Sequence, residues 1–101
     1  MSNDTLVPHW IGGKPSAGLG SRHGEVYDPA TGQVSAAVAF AAPEDVDAAV
    51  AAASAAFPGW RDTSLTRRAQ VLFAFREILN ARKDELAAII TAQHGKVLAD
   101  A

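Results

Sequence analysis

Three histidines, a group of acids and a set of closely spaced glycines are the residues whose types could do chemistry here. His9, His23 and His94 are candidates for metal ligation or proton transfer. None stands three or four residues from another, and the carboxylates near them lack ligand spacing, so no metal site is expected. His94, next to Gly95, suits the C-terminal end of a helix instead. Ser16, Ser21, Ser35, Ser54 and Ser64 lie in no G-x-S-x-G elbow, so the sequence does not support a serine triad. With no cysteine in the chain, these residues supply neither a thiolate nucleophile nor a thiolate ligand or disulfide. Glu44, Asp45 and Asp47 follow Pro43. Acids there oppose the positive end of a helix dipole, which explains them better than acid/base catalysis does.

Gly18, Gly20 and Gly24 approach a nucleotide-binding fingerprint. The G-x-G-x-x-G pattern works between a strand and a helix, where backbone amides face a pyrophosphate. Here the last interval is one residue too long and no helix follows, so an ordinary flexible loop is expected. Arg67 and Arg68, with Arg61 nearby, read as a solvated helix start rather than a phosphate site. The formal net charge of −2 argues against nucleic acid as the main partner. Trp10, Trp60 and the phenylalanines sit among apolar residues and are expected to pack in a core rather than form a binding face. No catalytic, cofactor-binding or metal-ligating residue is therefore expected in this chain.

The elements that carry these residues follow from local pattern. Met1 to Thr5 is polar and expected to fray. Leu6 to Ile11 predicts a short strand, held to an edge or a strand start by Pro8. Gly12-Gly13 suits a tight hairpin turn. Glu25 to Tyr27 predicts a strand, and Asp28-Pro29-Ala30-Thr31-Gly32 a turn. Val34, Ala36, Val38 and Phe40 alternate with Gln33, Ser35, Ala37 and Ala39, the period of a strand. Together these predict a small antiparallel arrangement. A helix then starts at Pro43 and is expected to end at Pro58-Gly59. Thr63 or Ser64 caps the next one.

From Leu65 to Lys96 the period becomes 3.6. Val71, Leu72, Phe75, Ile78 and Leu79 share one face, while Thr66, Gln70, Glu77 and Asn80 fall opposite. Leu86, Ile89 and Ile90 extend the stripe. The pattern allows one helix ending at Gly95 or two that break near Asn80. Val97 to Ala101 reads as helical again.

At 101 residues and 49% hydrophobic, the chain is one small globular unit or a part of a larger one. Much of its apolar fraction is alanine, so its own core is thin. No secretory signal and no membrane-spanning run is recognised, and the absence of cysteine suits a reducing compartment; a cytoplasmic location without membrane partners is expected.

The order of segments resembles the N-terminal part of the aldehyde dehydrogenase superfamily. The likeness lies in HWIGGKP at His9 to Pro15, YDPATGQV at Tyr27 to Val34 and PEDVDAAVAAASAAFPGW at Pro43 to Trp60. It continues in RRAQVLFAFREIL at Arg67 to Leu79 and HGKVLADA at His94 to Ala101. GEVYDPATGQV, RRAQVLFAFREIL and HGKVLADA look most like the CoA-acylating methylmalonate-semialdehyde dehydrogenase branch. Gln93 stands where many relatives have Glu.

The resemblance implies an α/β fold: short N-terminal antiparallel strands, then helices that pack on the nucleotide-binding domain. Residues 1–101 would be an incomplete, N-terminal piece of that fold, strand-rich over 6–40 and helical over 43–101. The branch oxidises malonate or methylmalonate semialdehyde with NAD, releases carbon dioxide and passes the acyl group to coenzyme A. Its chemistry runs through a cysteine thiolate, a thiohemiacetal and a thioester. That cysteine and the cofactor motifs lie downstream of the region seen here. The 101-residue chain is therefore expected to be inactive and to bind neither NAD nor coenzyme A by itself. Its implied partners are the rest of the parent subunit and further copies in a homo-oligomer. Other readings remain open on residues alone: another aldehyde dehydrogenase branch, a free-standing α+β interaction module that uses the Leu65–Lys96 helix, or a helical module that assembles through alanine-rich faces.

Overall fold

The computed structural model describes residues 5–101, so most of the expected N-terminal fraying lies outside the described residues. The chain forms two units, Met1–Pro58 and Gly59–Ala101.

In the first unit, Pro8 splits the first apolar stretch into β1 (Leu6–Val7) and β2 (His9–Ile11). Proline has no amide to give to a ladder, so the interruption falls there. The two pieces join different sheets. β2 pairs antiparallel with β3 (Lys14–Ser16), with Ile11 opposite Lys14 and Trp10 opposite Pro15. Gly12 and Gly13 make the turn with φ of 65° and 81°, a conformation only glycine adopts freely at both positions.

The other sheet has the order β1-β5-β4. β4 (His23–Tyr27) and β5 (Val34–Ala39) are antiparallel, joined by the Asp28–Gly32 turn. In that turn the Asp28 carboxylate accepts the Ala30 amide at 2.8 Å, and the Asp28 carbonyl accepts the Gly32 amide at 2.7 Å. Ser35 is the extra residue where the register shifts beside Val26 and Tyr27, and its hydroxyl donates to the Val26 carbonyl at 3.2 Å. β1, in contrast, runs parallel to β5, with Leu6 opposite Ala37. The expected antiparallel arrangement with its turn at Pro29 to Gly32 is the β4-β5 pair, and the parallel β1 adds to it. The β2-β3 hairpin and the loop after it lead into β4, which runs opposite to β1, and the Asp28–Gly32 turn then reverses the chain so that β5 lies beside β1 in the same direction. As the middle strand, β5 carries Ala36, the buried apolar residue among those described.

Helix α1 spans Pro43–Asp62 and so does not stop at Pro58-Gly59 as expected. Pro58 leaves the Ser54 carbonyl without its usual helical donor, but the missing bond does not end the helix. The turn is closed further on, where Thr63 donates its amide to Trp60 and its hydroxyl to the Gly59 carbonyl.

The second unit holds the end of α1, then α2 (Leu65–Ala81), α3 (Lys83–His94) and a 3₁₀ turn at Leu98–Asp100. Of the two expected caps, Ser64 acts: its hydroxyl oxygen accepts the Arg67 amide at 3.2 Å. The long amphipathic stretch is two helices that meet at Arg82, where φ is −109° and ψ is 19°. The Arg82 guanidinium grips the Glu85 carboxylate through two hydrogen bonds of 2.8 and 2.6 Å across the start of α3. Gly95 ends α3 in the left-handed conformation, its amide bonded to the Thr91 carbonyl.

The expected aromatic core is not formed. Trp10 is 72% exposed, Phe73 64% and Phe57 58%. The apolar stripe of α2 and α3 is likewise open, with Val71, Leu72, Phe75, Ile78 and Ile89 all exposed. Periodicity places apolar groups on one face, but burying that face takes a second layer.

Candidate functional site

The most constrained side chain in the first unit is Asp45, the third residue of α1, at 6% exposure. Its carboxylate accepts the Ala42 amide at 2.9 Å, reaching back over the first turn as the acid of a capping box does. It also accepts the Leu19 amide, at 3.1 and 3.0 Å to its two oxygens, across a separation of 26 residues. The Ala42 amide, then the Leu19 amide, hold the Asp45 carboxyl below its ordinary value, and nearby His9 acts in the same direction while burial opposes it.

His9 Nε2 stands 3.7 Å from an Asp45 oxygen, a distance at which a protonated imidazole attracts the carboxylate but which is too long for a hydrogen bond. The approach is tight because Gly18 lies between. Gly18 has φ of 81°, and a Cβ there would fall 2.6 Å from His9 Nε2. A Cβ on Gly20 would fall 2.5 Å from the Phe40 carbonyl oxygen. These glycines are thus needed for close backbone approach.

This arrangement gives the glycine loop a definite role. Its Leu19 amide faces an anion, but the anion is the protein's own carboxylate. A phosphate at that amide would meet the negative charge of Asp45. Sequence pattern assigned Asp45 to the helix start, which holds for Ala42. The bond to Leu19 was missed because no local spacing links an acid to an amide so far back in the chain. His9, which had no assigned role, is brought to the same place.

The remaining residues singled out by type are dispersed. His23 is exposed on β4 and His94 is exposed in the last turn of α3. Glu44 and Asp47 are exposed. Ser16 accepts the Gly18 amide at 3.3 Å. Arg61 pairs with Asp62 at 3.0 Å, and Arg67 is exposed. Arg68 is half-buried. Among the described residues no group of three or more His, Asp or Glu side chains could hold a metal ion. Open clefts are present in both units. One lies between the β2-β3 turn and the alanines of α1, lined by Trp10, Gly12, Ala49 and Ala53. Another lies at the bend between α2 and α3, lined by Phe75, Ile78, Leu79, Leu86 and Ile89. Both are mainly apolar and present no convergent set of catalytic groups.

A scaffold of strands, a pinned loop and uncovered helices has a counterpart among known proteins. Residues 17–101 match the profile of the aldehyde dehydrogenase family. The chain belongs to the aldehyde dehydrogenase family. It is 40% identical over 97 residues to malonate-semialdehyde dehydrogenase 1 of Geobacillus kaustophilus (strain HTA426), covering 96% of this chain and 20% of that protein. With malonate-semialdehyde dehydrogenase 3 of the same organism it is 41% identical over 101 residues, 100% of this chain and 21% of that one. A Sinorhizobium meliloti 1021 structure solved with NAD, assigned as a methylmalonate-semialdehyde dehydrogenase, matches with a TM-score of 0.91 at 41% identity. That match covers 94% of this chain and 19% of the other. The chain thus spans about a fifth of the length of these relatives and corresponds to the N-terminal part of the aldehyde dehydrogenase fold. Aldehyde dehydrogenases are oxidoreductases, and the α/β order of short strands followed by helices is the one expected from sequence.

The Asp45 clamp in this aldehyde dehydrogenase segment should be sensitive to acid. A carboxyl whose native value is lowered stabilises the fold fully above its unfolded value, about 3.9. That contribution is lost as pH falls through the lowered native value. Asp45→Asn removes the charge and one acceptor. The stability gap between wild type and Asp45→Asn is expected to be widest near neutral pH and to narrow below about pH 4. Faster hydrogen exchange at Leu19 should accompany the replacement. Thermal midpoints of the full-length enzyme recorded across this pH range, together with exchange rates, provide the check. A gap unchanged by pH would mean that the carboxylate charge does not hold the loop.

Proposed function

We propose that these residues are the N-terminal scaffold of an NAD-dependent, CoA-acylating malonate- or methylmalonate-semialdehyde dehydrogenase. The observation that carries this reading is the match of nearly the whole chain, at about two-fifths identity, to relatives that bear those names. In the full-length enzyme the semialdehyde is oxidised, carbon dioxide is released and the acyl group passes to coenzyme A. A cysteine outside this sequence is the nucleophile. The part played here is positional. The Asp45 clamp fixes the start of α1 against the glycine loop, and the open faces of α1, α2 and α3 supply surface for the nucleotide-binding domain. The cytoplasm is the proposed location and a homo-oligomer the proposed assembly. No helix among the described residues is long and apolar enough to cross a membrane.

NAD supplies a hydride acceptor when bound to the full-length enzyme. The Gly18–Gly24 loop is not where it binds, because Asp45 already occupies the Leu19 amide. Calorimetric titration of the 101-residue chain with NAD is accordingly expected to give no specific heat. A micromolar dissociation constant abolished by replacing Gly18 and Gly20 with Ala would overturn this reading of the loop.

The division of labour is tested by assaying NADH formation with malonate semialdehyde and, separately, methylmalonate semialdehyde, each with coenzyme A. Full-length enzyme should turn over and should require coenzyme A to release its acyl group, while the 101-residue chain should match a buffer control. Turnover by the short chain would refute the scaffold role. A full-length enzyme that ignores both semialdehydes would refute the branch assignment while leaving the family membership intact.

A further inference from the structure

We draw no further inference here: the strongest candidate, the apolar cleft at the bend between α2 and α3 lined by Phe75, Ile78, Leu79, Leu86 and Ile89, is an unpartnered face, and nothing in the structure shows what covers it.

Discussion

Leu72→Asp should cripple the full-length enzyme, whereas Gln70→Asp should leave its yield and thermal midpoint nearly unchanged. Both residues lie in the middle of α2, two positions apart and on different faces. Leu72 belongs to the stripe that also carries Phe75 and Leu79, and its side chain is 60% exposed in this chain. Under the proposed scaffold role that stripe is covered by the rest of the subunit. Loss of a covered leucine typically costs about 2–5 kcal/mol, and an unpaired carboxylate in the same place adds a desolvation penalty. Gln70 points away from the stripe, where a surface replacement changes stability by about 0.5 kcal/mol or less. The comparison is made in the full-length enzyme, where the stripe is covered and a thermal midpoint is defined. Equal soluble yields and midpoints in the full-length enzyme would show that the stripe is not a buried face.

The 101-residue chain by itself should self-associate or form a loosely packed state that binds hydrophobic dyes. Among the described residues only Ala36 and Asp45 are buried, and no large side chain is fully enclosed. Val46, Val50 and Phe57 are exposed on α1, as are Val71, Leu72, Phe73 and Phe75 on α2. Contiguous apolar patches beyond a few hundred Å² on a soluble protein mark interfaces or aggregation sites. Expanded states with secondary structure but without fixed packing bind such dyes. Light scattering should report species larger than a monomer, and helix amides should exchange quickly. A monodisperse monomer with a cooperative melt and protected helix amides would contradict the prediction and favour the free-standing module.

What was legible in the sequence was local. The Gly12-Gly13 hairpin, the Asp28–Gly32 turn, the start of α1 at Pro43, the Ser64 cap and the stop at Gly95 each depend on a few adjacent residues. Pro58 shows where a local rule is too strict, because one missing hydrogen bond can be tolerated when the turns on both sides remain helical. The break at Arg82 was one of two open possibilities, since hydrophobic spacing is nearly the same for a continuous helix and a bent one. The parallel pairing of β1 with β5 and the bond from Asp45 to Leu19 join residues far apart in sequence, and no window of pattern contains both partners. The apolar faces were correctly located by periodicity. They stand open, as a thin core implies, and the expectation that failed is the packed aromatic core, because periodicity says which groups share a side and not what lies against it.

The bond from Asp45 to Leu19 also sets an order of assembly. Bringing together two groups 26 residues apart on a disordered chain carries the full entropy of closing that loop. The β4-β5 hairpin shortens the search. Its strands pair across a compact turn, and its last rung joins the Phe40 amide to the Arg22 carbonyl at 3.0 Å. Once that rung is made, Leu19 and Asp45 are each only a few residues from a shared fixed point, and the closure remaining is a small one. The carboxylate therefore acts as a late fastener whose speed depends on a turn at the opposite end of the hairpin. Lengthening the Asp28–Gly32 turn would slow the fastening without touching either group that makes the bond, whereas extra residues between Leu19 and Arg22 would move the amide itself out of reach.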